Sequence, residues 1–289
     1  MILPSTEFLN RFLLKHVIVL NQNGISIGLC DEATYKLISD KYAFSELCEI
    51  NGILVPEEYQ SLPKTFPFVV KPKSYGKDLK EAHEKPILVN SENDLKNLDR
   101  LGDLNDYYFQ RYIGGKSYYL LYYFYKDGAY AVYSQENLIQ QDNGASIVLA
   151  KSSRIHEEDL SKKFAHLFIK SNFSGMVMVE IKKHEDKYFM IEANPRFWGP
   201  SQLILDANMS LIDDFLVDNA IILKGDSSTY RNDVYYFWSG GLVEDQRNGN
   251  TPKFYDYTTE RFFEDYAMLC SNDLYLKEDT IKIYVDECS

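Results

Sequence analysis

Four polar side chains near the middle of the chain stand in a pattern that could bind a metal ion. Glu180 lies in GMVMVEIKKHEDKYFMIEAN, residues 175–194, and Glu192, Asn194 and Arg196 occupy alternate positions in IEANPRFWGP, residues 191–200. Two carboxylates and an amide carbonyl are oxygen ligands of the kind that Mg²⁺ prefers, and Mg²⁺ is commonly shared with substrate phosphates. Arg196 adds a positive charge beside them.

These side chains are predicted to lie on one β-hairpin that turns at residues 184–187. A turn about Asp186 would place Lys182 opposite Met190, and Glu180 opposite Glu192 at about 5 Å between Cβ atoms. Strand alternation then separates a polar face from a core face. The predicted polar face carries Met178, Glu180, Met190, Glu192 and Asn194, and the core face carries Val177, Val179, Ile181, Phe189, Ile191 and Ala193.

Two carboxylates directly opposite one another repel, so something must offset the repulsion. They could share a proton, be solvated on an outer face, or bind a cation. The neighbouring methionines argue against a fully wet face. The residues alone leave these readings open, together with an exposed hairpin in which Glu and Arg form surface salt bridges of little energetic value.

The elements around this hairpin predict an α+β fold. Asp127-Gly128 between two β-rich runs indicates another hairpin within residues 109–135, and residues 66–73 form a further β-rich run. Helical periodicity is predicted for residues 40–52, ending at Gly52, and for residues 156–172 and 210–225. Helices and antiparallel hairpins alternate irregularly, as in α+β proteins rather than doubly wound sheets.

Composition narrows the class of partner. A formal charge of -12 and a pI near 4.9 argue against nucleic-acid binding, because phosphate contacts need a basic footprint. No apolar run approaches the roughly 20 residues of a membrane span. Cys30, Cys48, Cys270 and Cys288 have no metal-ligand spacing and predict reduced thiols in a cytoplasmic protein. Small molecules are the expected partners, and an anionic one requires locally concentrated basic residues.

The segment VEIKKHEDKYFMIEANPRFWG, residues 179–199, resembles the end of the ATP-grasp domain, the catalytic unit of many carboxylate-amine ligases. The resemblance implies that Glu180, Glu192 and Asn194 hold magnesium ions on ATP. It also implies that Arg196 is the catalytic guanidinium that faces an acyl phosphate. Mn²⁺ is a second candidate for the metal.

Three further stretches match the same family in the same order. Two of them would each supply a lysine to the ATP phosphates. Lys41 lies in DKYAFSELCEINGILVP, residues 40–56, and Lys71 lies in FPFVVKP, residues 66–72. FQRYIGG, residues 109–115, resembles the hinge strand whose backbone binds adenine, here around Gln110, Tyr112 and Ile113. DNGASIVLAKSS, residues 142–153, is similar to the carbamoyl-phosphate-synthetase-like branch and makes Lys151 a further catalytic candidate.

The resemblance also implies a domain organisation. Residues 1–39 would be the remnant of a Rossmann-like domain, including PSTEFLNRFLL and a short strand HVIVL at residues 16–20. Residues 40–225 would form the ATP-grasp domain, with a small lid subdomain at about 65–133, and residues 226–289 a C-terminal extension packing on it. Members of the family usually have a glycine-rich loop that folds over the phosphates, but the corresponding loop here has one glycine, Gly76. The basic residues Lys73, Lys77 and Lys80 would partly serve in place of the glycine-rich loop.

The function that this resemblance implies is ATP-dependent ligation of a small-molecule carboxylate to an amine through an acyl phosphate, with release of ADP and phosphate. The alternative is a non-catalytic ATP-binding module, because the family usually has a complete Rossmann-like domain before the first lysine. A homo-oligomer, or a partner subunit that supplies this domain, is left open.

Overall fold

A computed structural model describes residues 1–73, 86–144, 146–223, 225, 229–277, 280 and 285. Its helices are α1 (Glu7–Lys15), α2 (Val17–Gln22), α3 (Glu32–Ser39), α4 (Lys41–Ile50), α5 (Asp159–Lys170), α6 (Gln202–Asp206), α7 (Leu211–Asp218), α8 (Ser239–Arg247) and α9 (Thr259–Ser271). Its strands are β1 (Glu58–Tyr59), β2 (Phe68–Pro72), β3 (Ile87–Val89), β4 (Tyr107–Arg111), β5 (Lys116–Phe124), β6 (Tyr130–Gln140), β7 (Ile147–Ser153), β8 (Gly175–His184), β9 (Lys187–Asn194), β10 (Tyr235–Phe237) and β11 (Lys253–Phe254). Short 3-10 helices cover Glu92–Leu98, Leu104–Asp106, Asp142–Gly144, Ile155–Glu157 and Leu274–Leu276.

A large antiparallel sheet forms the centre of the molecule. Within the described ranges it has the order β10-β7-β6-β5-β8-β9, and β11 adds to β6. Strand β5 is buried on both faces, which explains its nearly continuous aromatic and aliphatic sequence. Helices α3, α4 and α5 pack on one face through residues such as Phe44 and Phe168, and α6 and α7 pack on the other through Leu203 and Phe215.

A smaller sheet with the order β1-β4-β2-β3 has its own core, which includes Phe68, Val70 and Phe109. The chain enters this sheet through residues 51–57 and leaves it through residues 112–115. Gly115 has φ 98°, and a Cβ atom there would overlap the carbonyl oxygen of Lys183 in the large sheet. Only glycine fits this close approach of the incoming chain to strand β8.

The predicted α+β class and both hairpins are confirmed. Strands β5 and β6 pair from Phe124 opposite Tyr130, around the Asp-Gly turn. Helix α4 begins after Asp40, whose carboxylate accepts hydrogen bonds from the amides of Tyr42 and Ala43, and it ends before Gly52 at φ 68°. Helix α5 buries Phe164 and Phe168 on the apolar face that the sequence predicts.

The predicted register of the β8–β9 hairpin is correct at the two acids and wrong nearer the turn. Glu180 lies opposite Glu192, but Ile181 lies opposite Met190 and Lys182 opposite Phe189, because a β-bulge interrupts the pairing. The extra residue is Ile191, so the alternation of β9 reverses at that point. Met190 therefore packs in the core with Val179 and Ile181, and not on the polar face.

The predicted strand HVIVL is also wrong, because these residues belong to helix α2 and its N-terminal cap. The amide of Leu20 donates to the carbonyl of His16, so backbone hydrogen bonds close locally and no sheet edge is needed. A short apolar run cannot be assigned to strand or helix by periodicity alone. The helix predicted at residues 210–225 is shorter than expected and ends at Asp218, followed by Ala220 at φ 57°.

The sheets do not follow the predicted domain limits closely. The lid range of about 65–133 includes β2, β3 and β4 of the smaller sheet, and β5 with the start of β6 in the large sheet. Beyond residue 226, β10 pairs with β7 and β11 pairs with β6. The domain division stays a prediction. Gly76, Lys77, Lys80 and Cys288 lie outside the described residues.

No helix in the described part of the chain has the length and apolar character required to cross a membrane. Cys30 and Cys48 are buried free thiols, and Cys270 is a half-buried one.

Candidate active site

A cleft of about 300 Å³ lies between the two sheets and collects most of the predicted site residues. Helix α4 places Lys41 in it, strand β2 places Lys71, and the β8–β9 hairpin places Glu180 and Glu192. Three hinge residues also line it, namely Gln110, Tyr112 and Ile113. Segments more than 100 residues apart in sequence therefore meet at one site, in the combination that the sequence pattern predicts.

Lys41 forms an ion pair with Glu192 across the cleft. The side chains are 15% and 21% exposed, so both charges are largely removed from water. Burial alone would raise the pKa of Glu192, but the ammonium of Lys41, with hydrogen bonds from Lys41 and Asn194, lowers it below the usual range. Glu192 is therefore an anion at neutral pH.

Lys71 is 5% exposed and donates a hydrogen bond to the carbonyl oxygen of Ile191 at 3.3 Å. That carbonyl belongs to the bulged residue of β9. Burial, and then the nearby charge of Lys41, lower the pKa of Lys71 to about 7, although Glu192 and Glu180 act in the opposite direction. The ammonium lacks a carboxylate partner at salt-bridge distance among the described residues, so an anion in the cleft would favour its charged form.

Glu180 lies opposite Glu192 and is 8% exposed. Burial raises its pKa, and the charge of Glu192 adds to the rise, while Lys182 opposes it from 3.9 Å. The repulsion between the two acids that the sequence predicts is thus part of the folded chain. Lysine ammoniums compensate for it in part.

Asn194 and Arg196 continue from Glu192 along the same segment. The Asn194 amide donates to Glu192 Oε1 at 2.8 Å, and Arg196 Nη2 donates to Asn194 Oδ1 at 3.4 Å. A second guanidinium nitrogen, Nη1, donates to the carbonyl of Phe197 at 3.0 Å, whereas the buried Nε has no hydrogen-bond partner among the described residues. Such an unpartnered buried N–H is unusual. Neither Arg196 nor Asn194 is among the described residues that line the cleft.

The oxygen donors of the β8–β9 hairpin fit Mg²⁺ held jointly with phosphates. Two carboxylates and one amide oxygen lie along a single hairpin, Glu180, Glu192 and Asn194, and Mg²⁺ is usually bound by one or two carboxylates plus substrate phosphates and waters. In the described ranges there is no cluster of three or more His, Cys, Asp or Glu side chains arranged to hold a metal.

The hinge residues form the other end of the cleft. Gln110 is 3% exposed and donates from Nε2 to the carbonyl of Pro56 at 3.4 Å, while its Oε1 has no hydrogen-bond partner among the described residues. Ile113 is buried, and the Tyr112 hydroxyl accepts a hydrogen bond from Lys253. This end thus combines apolar surface with an unsatisfied acceptor.

Lys151 does not reach the cleft. It lies opposite Glu136, which lies opposite Tyr118, and Tyr118 lies opposite Ile181. The register therefore places Lys151 on the sheet face opposite to Glu180. There it pairs with Glu136 at 3.3 Å and Asp233 at 3.5 Å.

The cleft also contains residues that were not among the predicted site residues, and Lys182, Lys253 and Tyr255 are examples. Lys182 follows Glu180 by two positions on the same strand face, and that spacing could have identified it. Lys253 and Tyr255 come from the C-terminal region, whose sequence carries no motif. Lys253 Nζ lies 4.7 Å from the ring centroid of Tyr112 and 5.2 Å from that of Tyr255, and burial lowers its pKa.

The cleft is basic although the chain is acidic. Its described lining includes five cationic side chains, Lys41, Lys71, Arg111, Lys182 and Lys253, and three acidic ones, Asp142, Glu180 and Glu192. This local excess of positive charge is what binding of an anion requires in a protein of net charge -12.

Comparison with known proteins gives matches in structure only: no family model and no curated protein matches the sequence. Biotin carboxylase from Campylobacter jejuni, solved as a beta-gamma-ATP complex, aligns with a TM-score of 0.58 at 13% identity, over 77% of this chain and 55% of that one. The biotin carboxylase domain of Hydrogenobacter thermophilus 2-oxoglutarate carboxylase, solved with MgADP and bicarbonate, gives 0.57 at 13% identity, over 78% and 55%.

N5-carboxyaminoimidazole ribonucleotide synthetase from Thermotoga maritima gives a TM-score of 0.51 at 17% identity, over 77% of this chain and 58% of that one. The chain thus spans a little more than half the length of each of these proteins. Identities this low establish a common fold and nothing finer. The chain has the ATP-grasp fold that the segment at residues 179–199 predicts.

Proposed function

We propose that the chain is an ATP-dependent ligase that joins a carboxylate to an amine through an acyl phosphate and releases ADP and phosphate. The observation that carries this proposal is the meeting of Lys41 and Lys71 with the opposed pair Glu180 and Glu192 in a cleft between the two sheets. Phosphoryl transfer is catalysed mainly by positioning and by neutralising charge, and these residues supply both.

The lysines would neutralise the phosphates of ATP. Lys71 extends from the smaller sheet and Lys41 from the start of α4, so they approach the cleft from different elements. Binding of a phosphate would draw Lys41 away from Glu192 and free that carboxylate. Lys71, whose pKa burial lowers to about 7, would be held in its charged form by the phosphate.

Glu180, Glu192 and Asn194 would hold the metal ion. Mg²⁺ fits this donor set best, and Mn²⁺, which also takes oxygen ligands, is a second candidate. When bound, the ion would neutralise phosphate charge and orient the transferred group. The repulsion between Glu180 and Glu192 favours this role, because a cation between them removes it.

Arg196 would stabilise the acyl phosphate and the tetrahedral species that forms from it. Its guanidinium is anchored to Asn194 and to the Phe197 carbonyl, and its Nε donor is unused among the described residues. Charge-assisted hydrogen bonds from a fixed arginine are well suited to an oxyanion that develops during reaction.

The base of the nucleotide would lie at the hinge end, beside Gln110, Tyr112 and Ile113. The unpartnered Oε1 of Gln110 is an acceptor in need of a donor, and the exocyclic amine of adenine is one. Lys151 has no part in this proposal because it lies on the opposite face of the sheet. The assignment to the carbamoyl-phosphate-synthetase-like branch stays a prediction.

Calorimetric titration of ATP with and without Mg²⁺ tests the proposal. We expect Mg²⁺-dependent binding in the wild type and its loss, by about 100-fold or more, in Glu192→Ala. Asp186→Ala, which removes an exposed acid from the same hairpin, is the matched control and should bind as the wild type does. Absence of ATP binding by the wild type, or equal binding by Glu192→Ala, would refute the proposed site.

The second stage is a screen of carboxylates and amines for ADP release. Release that needs one carboxylate and one amine together, and that Arg196→Met abolishes, would establish the ligase reaction. Binding of Mg²⁺-ATP without ADP release for any pair would favour the non-catalytic ATP-binding module.

A further inference from the structure

A row of buried polar side chains connects Glu180 to the segment that follows Arg196. Trp198 Nε1 lies 3.2 Å from Gln135 Oε1, Gln135 Nε2 lies 2.7 Å from Asn137 Oδ1, and Asn137 Nδ2 lies 2.9 Å from Ser117 Oγ. Ser117 Oγ lies 3.4 Å from Glu180 Oε1. We name these residues, Trp198, Gln135, Asn137, Ser117 and Glu180, the polar row.

The indole N–H of Trp198, at one end of the polar row, fixes the direction of every hydrogen bond in the row. An indole N–H can only donate, so Gln135 must present its oxygen to Trp198 and its amide nitrogen to Asn137. Asn137 is oriented in the same way and donates to the Ser117 oxygen. The Ser117 hydroxyl hydrogen is then directed to Glu180, which receives a donor at one defined carboxylate oxygen.

The row extends from the polar cleft into the buried part of the sheet face. Gln135, Asn137 and Ser117 are fully buried, at 0% exposure, on the face of β5 and β6 that also carries Tyr119. Met178 of β8 lies on the same face, and Phe197 packs with it in one hydrophobic cluster. Buried amides and hydroxyls add little net stability compared with well-packed apolar side chains, and each is costly if its partner is lost. Their presence therefore points to a role in placing Glu180.

We propose that Ser117, Asn137 and Gln135 are positioning residues, which hold the Glu180 carboxylate in its metal-binding orientation and tie that orientation to the segment bearing Arg196. The proposal rests on the proposed function, since it concerns the same metal site. Residues that hydrogen-bond to a metal-ligating carboxylate fix its orientation, and their loss commonly weakens metal binding by 10-fold or more.

The first test is titration of Mg²⁺ into the protein saturated with ADP. Ser117→Ala should weaken Mg²⁺ binding by about 10-fold, and Ser117→Thr, which keeps a hydroxyl, should restore most of it. Ser134→Ala is the matched control, because Ser134 is equally buried but bonds to His156 and Ser153 on the opposite sheet face. It should lower thermal stability without changing Mg²⁺ affinity.

The second test uses tryptophan emission. The chain has two tryptophans, and Trp238→Phe leaves Trp198 as the only reporter. In that background, Mg²⁺ added to the ADP-bound protein should shift the Trp198 emission, and Ser117→Ala should remove the shift. Trp198→Phe should weaken Mg²⁺ binding in the same direction as Ser117→Ala, from the other end of the row.

The outcomes separate this proposal from the proposed function. If the wild type binds Mg²⁺ and ADP through Glu192, but folded Ser117→Ala and Trp198→Phe both keep wild-type Mg²⁺ affinity, the polar row has no positioning role. Should Ser117→Ala fail to fold, Trp198→Phe decides in the same assay. If the wild type shows no Mg²⁺-dependent nucleotide binding, the proposed function fails first, and the positioning role fails with it.

Discussion

Lys71 shows how burial at a single residue prepares a site for an anion. Its ammonium is removed from water beside the ammonium of Lys41, and its pKa falls to about 7. The unfolded chain would hold that proton up to the ordinary pKa of 10.5. Between these values the unfolded state binds more protons than the folded state, so stability rises with pH across the window and is lost as the pH falls through it.

We therefore expect a specific pH dependence in the ligand-free protein. Relative to Lys71→Met, the wild type should gain up to about 1.4 kcal/mol of unfolding free energy per pH unit between pH 7 and 10. Urea denaturation at several pH values measures this difference. Relative to Lys73→Met, which lacks an exposed lysine just beyond the strand but keeps Lys71, the wild type should show no such gain. Parallel curves for the wild type and Lys71→Met would mean that Lys71 keeps an ordinary proton affinity.

Most of the predicted site residues meet in one cleft, and the sequence could indicate them because the signals that mark them are local. Glu180 and Glu192 could be assigned to one hairpin because Glu185 and Asp186 mark its turn. Counting back from that turn alone would pair Glu180 with Ile191, and the bulge brings Glu192 opposite instead. Lys71 stands out because lysine in a run of strand-forming apolar residues is unusual. The polar row was not predicted, because its links join β5, β6 and the loop after β9, and no local pattern relates them.

At the scale of elements, helix α4 and the β8–β9 hairpin illustrate what a pattern can and cannot specify. The helix is bounded by a capping aspartate and a glycine at positive φ, and both are visible in the sequence. The bulge at Ile191 has no comparable marker. It arises where β9 must direct Glu192 into the cleft while Met190 fills the core, and only the packing of both faces selects it.

Met190 tests this account of the bulge. Met190→Ala should lower the unfolding free energy by about 3 kcal/mol, since the side chain is 1% exposed in the core, and should leave ATP affinity nearly unchanged. Urea denaturation and calorimetry measure the two quantities. Regular alternation would instead put Met190 beside the two acids, and the substitution would then alter nucleotide binding at little cost in stability.

At the scale of the whole molecule, the C-terminal region completes the cleft, although its sequence contains no recognisable motif. Strand β11 pairs with the end of β6, with Lys253 opposite Gln140, and this pairing spans more than 100 residues. Nothing local to residues 250–256 indicates it. The C-terminal contribution to the cleft could therefore not be predicted, although the ATP-grasp fold itself was predicted from its motifs.

Substitution of Lys253 tests whether the C-terminal strand contributes to nucleotide binding. Lys253→Met should weaken ATP binding by about 10-fold, because it removes a largely buried cation and its contacts with Tyr112 and Tyr255 from the hinge end. Calorimetric titration provides the affinity. Lys162→Met, on the exposed surface of α5, is the control and should have no effect. Equal affinities for both variants would exclude a role of the C-terminal strand in nucleotide binding.

The two sheets have separate cores, and the cleft lies at the seam between them. The rings of Tyr42 and Tyr108 are in contact between the two parts. Because the smaller sheet nevertheless has a core of its own, we expect it to unfold as a separate cooperative unit, at a lower temperature than the larger sheet in the absence of a ligand. A nucleotide that contacts Lys71 on one side and Glu192 on the other stabilises only the state in which both are folded. In differential scanning calorimetry, saturating ligand should then merge two heat-capacity peaks into one. The bound nucleotide would in this way join the two sheets into a single cooperative unit.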